Sequence, residues 1–332
     1  MIVAALVLAT SAPARAQQTT TLRFTLDGRL EGPAAMFLVP QDKGYFQDEE
    51  LDVSLDEAAS VTEPLARIAS GSHDIGFADI NALIRYRDQN PAAPVKAIFM
   101  VYSKPPFAIV GRKSRGISEP KSLEGKRLGA PSNAATFPQW PLFAKINAID
   151  VSKVVLENIA TPVRAPMLAA GQLDAALGYA FRVYVDLKDR GVPVDDIVLM
   201  QMADYGLKLY GSAIVVNTKF AAEKPEAVRG FLRAFLRGMK DTIRAPATAA
   251  DAVLKRDDSA KKEVEIERLR MVIRENIVTP EARSLGFGAI DNARLEASIS
   301  QIALTYPFKA RPKAGDVFDA TFLPPAAERR VN

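Results

Sequence analysis

The sequence has no cysteine, one histidine and one tryptophan in 332 residues. Without cysteine there are no disulfides, thiolate metal sites or sulfur nucleophiles, so the fold rests on its core alone, which a chain this long can build. The single histidine, His73, excludes a histidine metal cluster and reads as a surface residue of a polar turn. Ser72-His73-Asp74 is no triad, because adjacent side chains diverge whereas a triad converges in space. Nucleotide loops are missing as well. Pro120 breaks the phosphate-loop spacing between residues 116 and 126, and no G-x-G-x-x-G follows a strand. Nor does charge of one sign dominate: the formal net charge is +4, and no Lys/Arg run forms a track for nucleic acid. The acidic pairs Asp195-Asp196 and Asp257-Asp258 sit in polar turns as solvated charge. A hydrolase would need two carboxylates distant in sequence to meet in the fold.

Long apolar runs are scarce too. Residues 2–12 form one, too short to span a bilayer, and Ala14-Arg15-Ala16 after it has the small-x-small form of a signal-peptide cleavage site. The basic residues that usually precede such a run are missing, as expected if the true start lies upstream of Met1. Residues 1–16 are therefore expected to be a signal peptide removed after Ala16, leaving a soluble, exported chain. No later stretch approaches the roughly 18 apolar residues that a membrane span needs.

What the sequence does have is alternation. Its 48% hydrophobic and 25% charged residues are ordinary for a globular protein, and its length predicts two lobes. Strands are predicted at residues 22–26, 51–55, 75–78, 95–102 and 107–110. Helices fall between them, from Pro33 and over residues 63–70, the second closed by Gly71. From Gly111 the cycle restarts, with strands at 126–129, 153–159, 173–177, 197–202 and 213–216. Its helices are predicted over 137–147, 162–171 and 181–191. Beyond Asn217 the pattern is helical to about Leu304, with long helices over 225–244, 260–276 and 291–304. Alternating strand–helix units predict an α/β fold of parallel sheets with helices on both faces. No fixed-period repeat is found.

Ligands of open α/β sheets lie beyond the carboxyl ends of the strands. Those ends carry Asp27-Gly28-Arg29, Ser60-Val61-Thr62, Ala78-Asp79, Ser132 to Thr136, and Gly178 to Arg182. The loop Ser132-Asn133-Ala134-Ala135-Thr136 is the most suggestive. Small side chains ahead of a helix leave N–H groups uncovered where the dipole is positive, which makes a seat for an acid group or else a tight turn. Phe137, Trp140, Tyr179, Phe181 and Tyr205 are placed to stack on a flat ligand. The candidate ligand-binding residues are Asp27, Arg29, Thr62, Asp79, Ser132, Asn133, Ala134, Thr136, Trp140, Tyr179, Phe181 and Arg182. Plain structural roles compete for several: helix capping for Asp79, core packing for Trp140, and carboxylate pairing for Arg182 and Arg164. No cofactor or metal site is read.

Four stretches in order carry a resemblance. They are Asp42-Lys43-Gly44-Tyr45-Phe46 with Leu51-Asp52-Val53; Ile68-Ala69-Ser70-Gly71-Ser72-His73-Asp74-Ile75-Gly76; Pro120-Lys121-Ser122-Leu123-Glu124-Gly125-Lys126-Arg127-Leu128-Gly129; and Ala169-Ala170-Gly171-Gln172-Leu173-Asp174-Ala175-Ala176. Across residues 22–217 the chain resembles the substrate-binding proteins of ABC importers for nitrate, taurine, alkanesulfonates and thiamine pyrimidine precursors. The resemblance implies a type II periplasmic-binding-protein fold: two α/β lobes, two crossover strands, a ligand cleft between the lobes and a helical C-terminal part. Lobe 1 is expected at residues 22–110 plus 212–332, and lobe 2 at 111–211. The resemblance further implies a periplasmic monomer without enzymatic activity or nucleic-acid partner. Such a protein captures a small organic anion or heteroaromatic compound (an aromatic carboxylate, a sulfonate or a pyrimidine) and delivers it to an ABC permease with its ATPase. Lobe closure around the ligand is what the permease would recognise.

Two residues depart from the family pattern. Glu50 stands where glycine usually precedes Leu-Asp-Val, a left-handed position where a side chain costs about 1 kcal/mol. Pro40 falls inside the first helix, at roughly 3 kcal/mol unless that helix starts late or kinks. Two rival functions share the architecture. The yeast thiamine-pyrimidine synthases use their own histidine, a lysine-bound pyridoxal phosphate and a cysteine-rich iron motif; the missing cysteines and the position of His73 argue against that chemistry. Sensing lobes of bacterial transcription factors carry a helix-turn-helix where a signal peptide is read here.

Overall fold

Ten strands form two five-stranded sheets in the computed structural model, which describes residues 19–60 and 62–331. The expected signal peptide and Val61 lie outside the described residues. The first sheet runs β2 (Leu51–Asp56), β1 (Thr20–Thr25), β3 (Ile75–Asp79), β10 (Ser212–Asn217) and β4 (Val95–Met100). The second runs β7 (Val155–Asn158), β6 (Arg127–Ala130), β8 (Ala175–Tyr179), β5 (Phe107–Arg112) and β9 (Ile197–Gln201). This is an α/β fold of the two-lobed periplasmic-binding-protein kind.

Both sheets are mixed, where the alternation predicts parallel ones. In each a single strand runs against its neighbours: β10 is antiparallel to β3 and β4, and β5 to β8 and β9. These are the strands by which the chain enters a sheet from the opposite lobe, so they arrive with reversed direction. The entry point also shifts a boundary. The chain leaves the first sheet after Met100 and is paired in the second from Phe107, whereas residues up to 110 were expected in lobe 1.

The two lobes repeat a turn that a fixed-period search does not reveal. Gly71 and Gly171 each follow a helix at positive φ, +77° and +72°. Three residues on, the Asp74 carboxylate accepts the Arg23 N–H at 2.8 Å, and the Asp174 carboxylate accepts the Arg127 N–H at 2.9 Å. Each aspartate thereby ties the start of the central strand of its sheet, β3 or β8, to the neighbouring parallel strand, β1 or β6.

The helical C-terminal part holds the lobes from outside. Helix Pro225–Arg244 stacks Phe231 on Phe24 (5.3 Å between ring centroids) and Phe235 on Phe37 (4.9 Å). Pro40 is accommodated there. Its helix starts late, at Ala35 after a 3-10 turn, so the ring disturbs only the final turn, and it faces Gly238, where a Cβ would lie 2.3 Å from Pro40 Cδ. Glu50 takes the left-handed conformation expected of its position, with φ +58°. Further on, Arg294 of helix Asn292–Ile302 touches both crossings. Its guanidinium donates to Ser103 O at 2.9 Å and to Leu209 O at 2.8 Å, pairs with Glu281, and lies 4.1 Å from the Tyr210 ring centroid. The helix predicted over 260–276 is divided, α over Lys262–Val272 and π over Ile273–Ile277.

Candidate functional site

A cleft of about 500 Å³ lies between the carboxyl ends of the two sheets. The loop after β1 contributes Asp27, Gly28, Arg29 and Glu31, and the loop after β2 contributes Ala58, Ala59 and Ser60. From the second lobe come Asn133 to Thr136 after β6, Thr161, Pro162 and Arg164 after β7, and Tyr179 and Arg182 at the end of β8. The walls are small, alanine-rich and partly aromatic. The floor is charged.

Its central contact crosses between lobes: Arg182 Nε donates to Glu31 Oε2 at 2.6 Å. The Arg182 guanidinium also lies 5.3 Å from the Tyr179 ring centroid and 5.7 Å from that of Phe181, within cation–π range. Burial disfavours charge on Glu31, but Arg182, Arg268 and Arg164 outweigh it and hold the carboxyl below its usual value. Arg182 is pushed up in turn, since Glu31 and Asp27 overcome the burial that opposes its charge. Asp27 behaves differently. Burial raises it to about 6, against the Arg182 charge and a 3.3 Å hydrogen bond from Ser212 Oγ.

Arg164 is the other buried charge. It is 3% exposed, its Nη1 donates to Leu177 O at 3.1 Å, and its Nε has no partner. Burial, then the nearby Arg182 charge, lowers it to about 10. Gly178 makes this placement possible, because a Cβ there would lie 2.6 Å from Arg164 Nη1. Thr136 is fully buried on the same side, and its Oγ1 also lacks a partner. Both residues line the cleft wall, but these two atoms are themselves closed off from its open space.

The remaining candidates divide. Asp27, Arg29, Asn133, Ala134, Thr136, Tyr179 and Arg182 line the cleft. Phe181 borders a narrow pocket of about 20 Å³ beside Asp27 and Arg182. Thr62 and Asp79 line a separate cavity of about 160 Å³, which meets the cleft at Ala135. There Asp79 caps the helix Ile80–Gln89, accepting the Ala82 N–H at 2.8 Å, and burial raises its carboxyl to about 7. Ser132 lines neither cavity; its N–H is taken by Asn158 Oδ1 at 3.1 Å. Trp140 is 5% exposed and stacks on Phe143 at 6.4 Å in the core, where its helical spacing puts it. Tyr205 packs edge-on against the same Phe143.

The loop expected to seat an acid group is mostly a turn. The Ala134 N–H bonds Pro131 O at 3.1 Å, and the predicted helix is a 3-10 turn, Phe137–Gln139, followed by only Trp140–Ile146. So short a helix concentrates little dipole at the loop. The sequence gives no local signal for Glu31, which joins the cleft lining where the second lobe brings Arg182 to it. Arg164 is legible in the sequence beside Arg182, as an arginine able to meet an anion, but not among the candidate ligand-binding residues. No lysine or histidine lines these cavities; His73 Nε2 instead lies 2.9 Å from Asp56 Oδ2. Among the described residues no cluster of His, Cys, Asp or Glu could hold a metal ion.

Comparison with known proteins fits this architecture. The family model described as NMT1/THI5 like matches residues 33–249, and the chain belongs to that family. Among curated relatives, it is 27% identical to the riboflavin-binding protein RibY of Chloroflexus aurantiacus over 66% of this chain and 62% of that one. It is 29% identical to the 4-amino-5-hydroxymethyl-2-methylpyrimidine phosphate synthase of Aspergillus parasiticus, over 65% and 64%. The chain thus spans a little over three-fifths of the length of both. A formylaminopyrimidine-binding protein of Halalkalibacterium halodurans is 26% identical over 84% of each chain. Among solved structures, the periplasmic aliphatic sulphonate binding protein SsuA of Escherichia coli shares the fold, with a TM-score of 0.71, 14% identity, and 90% and 96% of the two chains covered.

Proposed function

We propose, from membership of the NMT1/THI5-like family, that this chain is the periplasmic solute-binding component of an ABC importer and that its cleft captures a flat heteroaromatic compound. The observation that carries this reading is the pairing of charge in the cleft. Arg182 already answers Glu31, and Arg29 and Arg190 lie at the rim, which leaves Arg164 as one unpaired cation inside the cleft and not the cluster that a simple anion such as a sulfonate would need. The Tyr179 ring and alanine-rich walls suit a flat body, and Arg164 suits an acceptor on it. Relatives that bind riboflavin and formylaminopyrimidine support a nitrogen heterocycle.

The remaining parts follow from the same reading. Residues 22–100 with 212–331 form one lobe and 107–201 the other, joined by the crossings at 101–106 and 202–211. The chain acts as a monomer, exported after cleavage near Ala16, and hands its ligand to a permease with its ATPase. It is not an enzyme: a synthase that holds pyridoxal phosphate through lysine finds no lysine in this cleft. Native mass spectrometry of freshly purified protein, then a thermal-shift panel of pyrimidines, flavins, aromatic acids and sulfonates, tests this. Pyrimidines or flavins are expected to raise the melting temperature. If only sulfonates do so, the heteroaromatic reading fails; if nothing does, capture fails. An absorbance band from bound pyridoxal phosphate would favour the enzyme instead.

A further inference from the structure

The charges that line the cleft can be assigned one by one. Glu31 pairs with Arg182 at 2.6 Å, and Asp186 with Arg268 at 2.5 Å. Arg29 and Arg190 are exposed at the rim. Two lining charges are left inside, Asp27 and Arg164, and neither has an ion-pair partner within salt-bridge distance. Asp27 has only the long Ser212 hydrogen bond, and Arg164 has only Leu177 O. They also come from opposite lobes. Asp27 follows β1, while Arg164 follows β7.

Resting on the capture reading above, we propose that the cleft selects a ring compound with charge at both ends. Its cationic, hydrogen-bond-donating end meets Asp27, and its anionic, accepting end meets Arg164. A buried charge without a counter-ion is costly, and removing that cost for both groups at once requires a ligand that brings one charge of each sign. Burial works against charge on both, raising Asp27 to about 6 and lowering Arg164 to about 10, and the nearby opposite charges (Arg182 for Asp27, Asp186 and Glu31 for Arg164) do not offset it. An anion alone satisfies Arg164 and leaves Asp27 facing added negative charge; a cation alone does the reverse.

The test uses flat rings that differ only in their ends: benzoate, benzamidine and 4-amidinobenzoate, with uracil and lumichrome as uncharged references. Each is titrated calorimetrically into the mature chain, into Asp27→Asn and into Arg164→Gln, with circular dichroism checking that each variant folds. 4-Amidinobenzoate is expected to bind at least about tenfold tighter than either single-ended ring. Asp27→Asn should remove that advantage while leaving benzoate unchanged or tighter. Arg164→Gln should weaken benzoate and spare benzamidine; should it fail to fold, the Asp27→Asn result decides alone. Benzoate equal to 4-amidinobenzoate, or an Asp27→Asn variant that keeps the advantage, overturns the proposal. If uracil or lumichrome binds and the two-ended ring gains nothing, the proposal falls while capture stands. If none of the five binds, both fall.

Discussion

The central strand of each sheet ends at the cleft and starts a helix, yet one ends in Asp79 and the other in Tyr179. Around that point the lobes agree: the same arrangement of strands, one reversed strand each, and a Gly-x-x-Asp turn tying the central strand to its parallel neighbour. The aspartate spends its oxygens on its own helix, where the Ala82 N–H and the Asn81 amide hold it. The tyrosine makes no such cap and turns its ring to Arg182 instead. Scaffold residues are thus repeated between the lobes, while the cleft-lining residues differ. Lobe 1 brings Asp27, Arg29 and Glu31 to the cleft, and lobe 2 brings Arg164, Arg182, Asp186, Arg190 and the Tyr179 ring.

This contrast can be broken in four ways. Trp140→Ala should have the largest effect, about 3–5 kcal/mol of stability lost in denaturant melts, because it empties core of lobe 2. Ligand affinity measured where the variant is still folded should hardly change. A specific loss of affinity instead would return Trp140 to the cleft. Next, Asp74→Ala and Asp174→Ala should each cost roughly 1–3 kcal/mol, since each strands a backbone N–H in the parallel neighbour of the central strand. Costs that differ severalfold would show that the repeated turn is not equivalent in the two lobes.

The third effect depends on pH. Asp79 is raised to about 7 when folded, against an ordinary aspartate near 3.9 when unfolded, so the folded state holds its proton more tightly. Stability from this group is therefore present below about pH 4 and is lost as pH rises to about 7. Asp79→Asn should escape that loss, so its melting temperature relative to wild type should climb across this window. Tyr179→Phe, at the matching point of lobe 2, should give a difference that is flat over the same range, because the Tyr179 hydroxyl is pushed well above its usual value. A flat Asp79→Asn difference would mean that Asp79 is ionised throughout. Smallest in stability is Thr136→Val, within about 0.5 kcal/mol, because it removes a buried hydroxyl that has no partner in the protein. Calorimetry should show ligand affinity unchanged, because that hydroxyl is closed off from the cleft. A loss of about tenfold would show instead that it opens to the ligand on binding.

Much of the fold was legible because its signals are local. Helix Glu63–Ser70 with its Gly71 cap and helix Pro225–Arg244 have the bounds that periodicity and capping predict. The antiparallel crossing strands were not legible, since a strand's direction relative to its neighbours is decided by the lobe from which the chain arrives. The candidate site shows the same divide. Strand-end position led to Asp27, Tyr179 and Arg182, which meet in the cleft. It could not separate Trp140, whose spacing suits a core face as well as a ligand face, nor Ser132, whose N–H is claimed by Asn158 from a neighbouring loop.

By itself the sequence determined the alternation of strands and helices, the exclusion of thiol and multi-histidine chemistry, and the four stretches that place the chain in its family. These are properties of composition and short spacing, which need no knowledge of distant neighbours. Only the tertiary structure decided that Glu31 neutralises Arg182 across the lobes and that Asp27 and Arg164 are left without ion-pair partners. The reason is electrostatic. Whether a side chain is a free charge, a paired one or a raised acid depends on what is buried beside it, and for Glu31 and Asp27 those neighbours, Arg182 and Ser212, lie 151 and 185 residues away along the chain.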